Sequence, residues 1–495
     1  MGVHRVSKPS ISHGWPGPVV WLLLALALAL RLWLIADKNL WLDESVSWQF
    51  ASGSLANLIH GTASDIHPPL YYLLLKVWVA IWGDSLAGLR SLSVVFGVAA
   101  VFVLFRLLDS LPRVVAYAAI FWFAVAPHAV LFSQEARMYA AVTMCVLAVC
   151  VLYRRWVDSG FTDNAALAGY AVCVVMCLYL HYFTSLVIAA IGLHAVLLAI
   201  GATRTPTDPP RRLPLTTWGL VHVIIGLAYL PWIAIAASQI SHGQSWREAV
   251  TLAKIPANAR DMFAGFLGGV SSYTFTSALA WVAIAVLGIG IARLALATFR
   301  GREPERDLFF LLVALVPIAL GLALLPFAGH MDLARYLVYG LPLMIAAAAR
   351  GLAAFRLPPA AAALALAVGA LATLPALQAY YQTHLKDSDA RPIVAVLMTA
   401  AHPRAGAQDL IFVAPGYMDD VVRYISRDAL VYQRVPDGAD DLLTVIEPSL
   451  APSHATWVIV DYRWPAFRDL AKNPRFREET VPSGYPEMIK LFRVY

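Results

Sequence analysis

Apolar stretches of roughly 20 residues, each long enough to cross a hydrocarbon core, recur along most of this chain. They fall near residues 16–36, 89–108, 113–132, 138–153, 165–182, 183–201, 215–236, 273–298, 307–326, 334–350 and 357–378, eleven in all. The residues are 60% hydrophobic and only 14% charged, where about a quarter would be charged in an ordinary soluble enzyme. An α-helical polytopic membrane protein is the expected class. The first stretch is too long for a signal peptide and lacks a small-residue cleavage site, so it reads as a retained span. Cys145, Cys150, Cys173 and Cys177 lie inside apolar stretches and read as small packing residues rather than metal ligands.

The basic residues are informative by position. They fall at Arg5 and Lys8, Arg106 and Arg113, Arg154 and Arg155, Arg204, Arg211 and Arg212, Arg300, Arg302 and Arg306, and Arg350 and Arg356. Every second loop is therefore basic, the pattern of cytoplasmic loops. The N-terminus is expected inside, and loop 37–88 outside. Charged residues become denser from about His384 onward. There "DLIFVAP" (409–415), "ATWVIVDY" (455–462) and "KLFRVY" (490–495) read as strands, and "MDDVVRYI" (418–425) as a helix with acids in its first turn. The expected organisation is a transmembrane catalytic unit over 1–382 and a small extracytoplasmic α/β domain over 383–495. The second unit has no glycine-rich phosphate loop and reads as a cap or acceptor-handling module. No internal repeat is visible.

Polar groups gather on the expected outer side. "WLDESVSW" (41–48) holds Asp43 and Glu44, "DIHPPLYY" (65–72) holds His67 before two prolines, and "LRSL" places Arg90 at the outer end of the second span. "SQEARMY" (133–139) carries Glu135 and Arg137, "LHYF" (180–183) carries His181 and Tyr182, and "GHMDLARY" (329–336) carries His330, Asp332, Arg335 and Tyr336. Each has a structural reading: Asp43 or Glu44 as a helix cap, Arg90 and Arg335 as snorkelling anchors, Glu135 with Arg137 as a local pair, His67 serving loop carbonyls. Their convergence at one depth favours a site. Span midpoints are almost free of charge, which argues against an ion-coupled transporter.

A reaction on the outer surface has no nucleotide sugars to draw on, because their charge keeps them from crossing the bilayer. A sugar carried on a polyprenyl phosphate is reachable there. Its phosphate is already a good leaving group. The protein needs only cations for the charge that develops on it and a carboxylate to take the acceptor's proton. A single carboxylate acting as base implies direct displacement with inversion.

The first-loop acid pair, "HPPLYY", "LR", "SQEARMYA" and "ARYLVYGLP" occur in that order over residues 16–345. The set resembles the membrane glycosyltransferases of the GT-C superfamily, in the branch of the protein O-mannosyltransferases and the lipid A aminoarabinose transferases. The resemblance implies that Asp43 is the catalytic acid or base with Glu44 beside it, and that His67 and Arg90 lie near the lipid phosphate. The donor-holding set is then His67, Arg90 and Arg137, with Glu135, His181, Tyr182, Arg335 and Tyr336 around the substrates. "SHGQSWRE" (241–248) is a candidate lid or acceptor contact. A metal-free site is expected, since arginines supply the positive charge; a hard divalent cation held by Asp43, Glu44 and Glu135 is the alternative. The expected partners are a polyprenyl-phosphate sugar, a glycan, lipid or protein acceptor, and the bilayer of a bacterial plasma membrane, with no nucleic acid. A transporter or flippase of lipid-linked sugars, or a scaffold subunit, is the competing reading.

Overall fold

The computed structural model describes residues 17–201, 213–242, 248–268, 278–355, 357–383, 389–400, 409–427, 429–435, 442–449, 455–461, 472–479, 481 and 489–494. Arg5, Lys8, Arg204, Arg211, Arg212, Arg356 and residues 243–247 of the candidate lid lie outside them.

The helices run in chain order as α1 (Pro18–Leu32), α2 (Leu42–Ser52), α3 (Leu55–Ser64), α4 (Leu70–Trp82), α5 (Leu86–Leu107), α6 (Arg113–Val125) and α7 (Pro127–Ser133). After them come α8 (Tyr139–Asp158), α9 (Asn164–Leu180), α10 (Thr184–Ala199), α11 (Leu215–His242), α12 (Ile255–Gly268), α13 (Ala278–Arg300) and α14 (Pro304–Ala328). The bundle closes with α15 (Leu333–Tyr336), α16 (Gly340–Ala353), α17 (Pro359–Ala372) and α18 (Leu374–Gln382). Among the described residues, 6 helical segments are long and apolar enough to cross a membrane, or 7 with the bent pair α6–α7. This is a multi-pass membrane protein. The eleven expected spans all coincide with apolar helices, but α1, α9, α10 and α16 are shorter than a full crossing, so length alone does not give eleven.

The expected span 113–132 is broken. Pro127 lacks an N–H and its ring disfavours a continuous helix, and α6 and α7 meet at 56°. The Ala124 carbonyl accepts from Arg31 Nη1 of α1 (3.0 Å), while Arg31 Nε donates to Ser133 Oγ of α7 (3.1 Å). One fully buried arginine thus joins both sides of the break. Gln134, just past α7, donates to the carbonyls of Arg31 (2.9 Å) and Trp33 (2.7 Å), tying the end of α1 to the turn before α8. The expected span 334–350 is likewise two pieces, α15 and α16, with Arg335 on the first.

All described strands lie beyond residue 409. They are β1 (Leu410–Ala414), β2 (Gln433–Arg434), β3 (Thr456–Asp461), β4 (Phe476–Glu478) and β5 (Ile489–Val494), in the order β2-β1-β3-β5-β4. β1 is parallel to β2 and β3; β5 is antiparallel to β3 and β4. Alternate residues serve opposite faces. Ile411, Val413, Ile459 and Leu491 pack on α19 (Arg391–Ala400) and α20 (Asp419–Ser426). Phe412, Val458, Val460 and Phe492 pack on α21 (Leu442–Ile446). The three strands and the helix expected from sequence are present; the short edge strands β2 and β4 were not foreseen. This α/β unit sits on α2, where Trp48 meets the Tyr424 ring edge-on at 5.3 Å, and Asp84 accepts from Trp48 Nε1 (3.0 Å) and Arg427 Nη1 (2.6 Å).

Helices α13 and α16 approach backbone to backbone. A Cβ on Gly290 would lie 2.6 Å from Ala348 Cα, and one on Gly351 would lie 1.8 Å from the Gly290 carbonyl oxygen. Gly288, two residues away, has nothing within 4 Å. Gly290→Leu should therefore lower the thermal midpoint of the detergent-solubilised protein, by the equivalent of about 1–3 kcal/mol of overpacking. Gly288→Leu should leave the midpoint unchanged.

Candidate active site

Helix α2 begins after Trp41, whose extended backbone makes the N-cap, and no side chain caps it. The capping role allowed for Asp43 or Glu44 is therefore not used. Asp43 and Glu44 occupy the first turn, where the helix dipole favours carboxylates. Adjacent helical positions are about 100° apart, so the two acids diverge.

Glu44 points inward. It is fully buried, and its two oxygens accept from Arg90 Nε (2.8 Å) and Nη2 (2.7 Å). Oε1 also accepts the Ala136 backbone N–H at 2.9 Å. Arg90 donates further to the carbonyls of Ile35 (2.7 Å), Lys38 (3.0 Å) and Asn39 (2.9 Å). A guanidinium has five N–H donors, and all are engaged. The resemblance placed Arg90 at the donor phosphate and Glu44 beside Asp43 in the catalytic pair. Structurally the two form a closed pair with no donor left for a ligand, because the linker between α1 and α2 turns its carbonyls onto the guanidinium. The same engagement takes Glu44 out of the alternative cation set with Asp43 and Glu135. Among the described residues no three histidine, cysteine or acidic side chains cluster as metal ligands.

Asp43 points the other way, into a cluster built from four segments. Arg335 Nη2 on α15 bonds its Oδ2, and Arg137 Nη2, in the turn before α8, lies 4.0 Å from the same oxygen. Arg335 Nε donates to Tyr139 Oη (2.6 Å), and its guanidinium lies over the Trp41 ring (4.8 Å) and the Tyr139 ring (5.1 Å). Asp332 caps α15 by accepting the Arg335 backbone N–H (3.3 Å), which orients the helix carrying that arginine. Arg137 Nη1 donates to Tyr72 Oη (3.0 Å) and to the Asp43 carbonyl (3.3 Å). Its Nη2 lies 3.4 Å from both ring nitrogens of His67. His67 in turn meets Asp65 Oδ2 at 3.1 Å.

Burial pushes the Asp43 carboxyl up, but Arg335, Arg137 and His67 outweigh it and hold the group at about 2. Asp43 is thus ionised throughout the working pH range. Burial, with Arg137 adding to it, lowers the His67 pKa and favours the neutral ring.

His181 and Tyr336 flank the cluster. Their rings lie 5.3 Å apart, Tyr336 stacks on Phe183 at 5.2 Å, and His181 is 6.0 Å from His67. Phe183 donates its backbone N–H to His181 Nδ1 (3.2 Å), which places the ring proton on Nε2. Tyr182 turns away, bonding Gln239 and accepting from Trp232 Nε1 (3.1 Å) of α11. Glu135 is buried within electrostatic reach of Arg335, and His330 is exposed. The structure therefore brings together Asp43, His67, Arg137 and Arg335, with Glu135 in electrostatic reach of Arg335, sets His181 and Tyr336 at their edge, and keeps Glu44, Arg90 and Tyr182 out of the cluster.

Sequence reasoning missed Trp41, Asp65, Tyr72 and Tyr139. All four sit inside the motifs that were singled out. Tyr72 and Tyr139 each lie two to five residues from a chosen histidine or arginine, and that proximity was the available signal. Arg31 was also missed, because a lone arginine near a span end looks like an anchor.

No family model matches the sequence, and no curated protein matches it. Solved structures do. The apo oligosaccharyltransferase of Archaeoglobus fulgidus superposes with a TM-score of 0.57 at 13% identity, over 90% of this chain and 69% of that one. The same protein tethered to an acceptor peptide containing the NVT sequon gives 0.52 at 13% identity, over 90% and 68%. ArnT from Cupriavidus metallidurans in the apo state gives 0.46 at 13% identity, over 96% and 97%, too loose a superposition to weigh. At such identities the likeness speaks for the fold alone: the chain has the GT-C fold, as the order of its motifs implied.

Breaking a fully buried ion pair leaves an uncompensated charge and costs about 3–5 kcal/mol. Glu44→Gln should therefore destabilise the protein by that order in a chemical-unfolding titration. Glu135→Gln, which does not break that pair, should cost less.

Proposed function

We propose that this chain is an inverting glycosyltransferase that moves a sugar from a polyprenyl-phosphate donor to an envelope glycan, lipid or protein acceptor. The observation that carries the reading is one carboxylate, Asp43, held between Arg335 and Arg137 at the end of a membrane bundle. The GT-C fold supports it, since the structures that superpose best among those above are of an oligosaccharyltransferase, one of them tethered to its acceptor peptide. The alternation of basic loops supports placing this end, and the α/β unit docked on it, outside the plasma membrane, with the N-terminus in the cytoplasm.

The chemistry follows from the contacts. A donor phosphate arriving at Arg335 and Arg137 competes with Asp43 for the same guanidinium groups. As they turn toward the phosphate, Asp43 loses the partners that hold its pKa down and gains an anionic neighbour, so it becomes a stronger base. It then accepts the proton of the acceptor hydroxyl as that oxygen attacks the anomeric carbon from the face opposite the phosphate. The bond between the anomeric carbon and the phosphate oxygen breaks, and the leaving phosphate keeps the electron pair under the arginines. His67, with its Asp65 partner, borders Arg137 and fixes its guanidinium.

Removing a general base typically costs 10²–10⁴-fold. Asp43→Asn should lower transfer of radiolabelled sugar from polyprenyl phosphate by about that factor, while binding of the prenyl phosphate persists. Unchanged transfer in this variant would mean that Asp43 is not the base; a wild type that moves the lipid-linked sugar but transfers none would be a flippase or exporter instead.

The pH profile gives a second measurement. Because the arginines lower the folded pKa, kcat/KM of the wild type should show no acid limb from Asp43 above about pH 3. Arg335→Met removes the largest lowering influence, so its acid limb should move up into the range of ordinary carboxylates or higher. An acid limb at the same pH in both proteins would mean that Arg335 does not govern the base.

A further inference from the structure

Behind Asp43, the second half of α2 walls a groove that the chemistry above does not use. It is lined by Trp48, Gln49, Ser52 and Gly53 of α2 and its C-cap, Asn57 and Gly61 of α3, and Arg423 of α20, with Phe50 at its base; its volume is about 510 Å³. That falls within the roughly 300–1,000 Å³ of ligand clefts, which favour junctions between structural units. This one lies at such a junction, between the helices of loop 37–88 and the α/β unit.

The lining chemistry is specific. Gln49, Ser52 and Asn57 supply neutral amide and hydroxyl groups at the open rim, while the Trp48 and Phe50 rings form a largely buried floor. The guanidinium of Arg423 lies 6.0 Å from the Trp48 ring centre. Among the described lining residues there is no carboxylate, no aliphatic side chain and no lysine. Such a lining does not suit a prenyl chain, which needs apolar walls. A single arginine is a poor match for a pyrophosphate. Dispersed hydroxyls, by contrast, suit neutral amides over an aromatic floor.

The groove is also connected to the site. Phe50 packs edge-on against Tyr72 at 5.0 Å, and Tyr72 Oη accepts from Arg137 at 3.0 Å. Gly61 is what admits the Phe50 ring, since a Cβ there would lie 2.5 Å from it. Asp43 and Gln49 are six residues apart on one helix, about 9 Å along its axis. The two positions also lie about 120° apart around the helix, so a chain of sugars leaving the groove would curve around α2 over roughly two or three residues to reach the base.

We infer that this groove binds the glycan acceptor, holding the sugars behind the one whose hydroxyl reaches Asp43. The inference rests on the transferase reading for the role of the ligand, but the binding itself can be measured without turnover.

The test uses full-length protein in lipid nanodiscs. The probe is tritium-labelled soluble polysaccharide released from envelopes of cells lacking this protein, and retention is measured by equilibrium dialysis. Wild type and Asp43→Asn should retain it equally. Asn57→Trp, which fills the groove from its exposed rim, and Gln49→Ala should weaken retention, the former at least tenfold. In transfer assays the same two variants should raise the acceptor KM with the donor KM unchanged. The inference is overturned if wild type does not retain the polysaccharide, or if Asn57→Trp retains it equally. Retention of envelope-derived peptides in its place, or a rise in the KM for the prenyl-phosphate sugar, overturns it too. Undiminished transfer by Asp43→Asn would count against the base while leaving the dialysis result to stand on its own.

Discussion

Arg90 and Glu44 form the contact on which the geometry of this protein turns. The guanidinium spends two donors on the carboxylate and three on the carbonyls of Ile35, Lys38 and Asn39. The carboxylate also takes the Ala136 N–H. Four pieces of chain therefore share one buried junction: the linker after α1, the first turn of α2, the start of α5 and the turn before α8. Asp43 is covalently next to Glu44 and Arg137 next to Ala136, so the junction sets where both stand. Burying two charges is costly unless every hydrogen-bonding position is filled, and here the fork geometry of arginine fills its own.

This explains why two neighbouring acids behave so differently. Glu44 is a positioning group whose charge is neutralised inside the protein. Asp43 is part-exposed, and its charge is balanced by arginines brought from distant segments. The break between α6 and α7 contributes to the same end. Without it the chain would continue straight past Ala126. With it, α7 runs off at 56° and the turn after it delivers Arg137, while Arg31 and Gln134 pin that turn to α1.

The membrane class, the helical segments, the small sheet and the set of polar motifs at one end were legible because each leaves a local pattern: long apolar stretches, alternating strands, charges at helix ends. The break at Pro127 was less so, because proline is common in membrane helices and only packing shows whether it bends or breaks one. The inner arrangement of the site was not legible for a related reason. Sequence shows that Asp43, Glu44, Arg90, Arg137 and Arg335 belong to one end of the bundle. Which acid pairs with which arginine depends on helix rotation and on loop carbonyls that carry no sequence signature. Arg90 was placed at the phosphate by the resemblance; its partners are the Glu44 carboxylate and backbone oxygens from residues more than fifty positions away.

The opposite end of the bundle shows what a cluster of charges looks like when it serves packing only. Arg350 bonds Asp307 (2.7 Å) and Glu303 (2.5 Å), Arg154 bonds Asp158 (2.6 Å) and Glu305, and Arg306 bonds Asp158 (2.9 Å). There three arginines meet four acids, with His194 beside Glu305, and pair between α8, α14 and α16. At the Asp43 end, once Glu44 and Arg90 are set aside as a closed pair, Asp43 faces two arginines. Asp65 is turned to His67. Glu135 also acts on Arg335, and Asp65 on Arg137, so positive charge is not in excess here. Within the cluster, Arg137 Nε is buried with no hydrogen-bond partner. A buried donor left unsatisfied costs free energy, and under the proposed function an oxygen of the donor phosphate would fill that position.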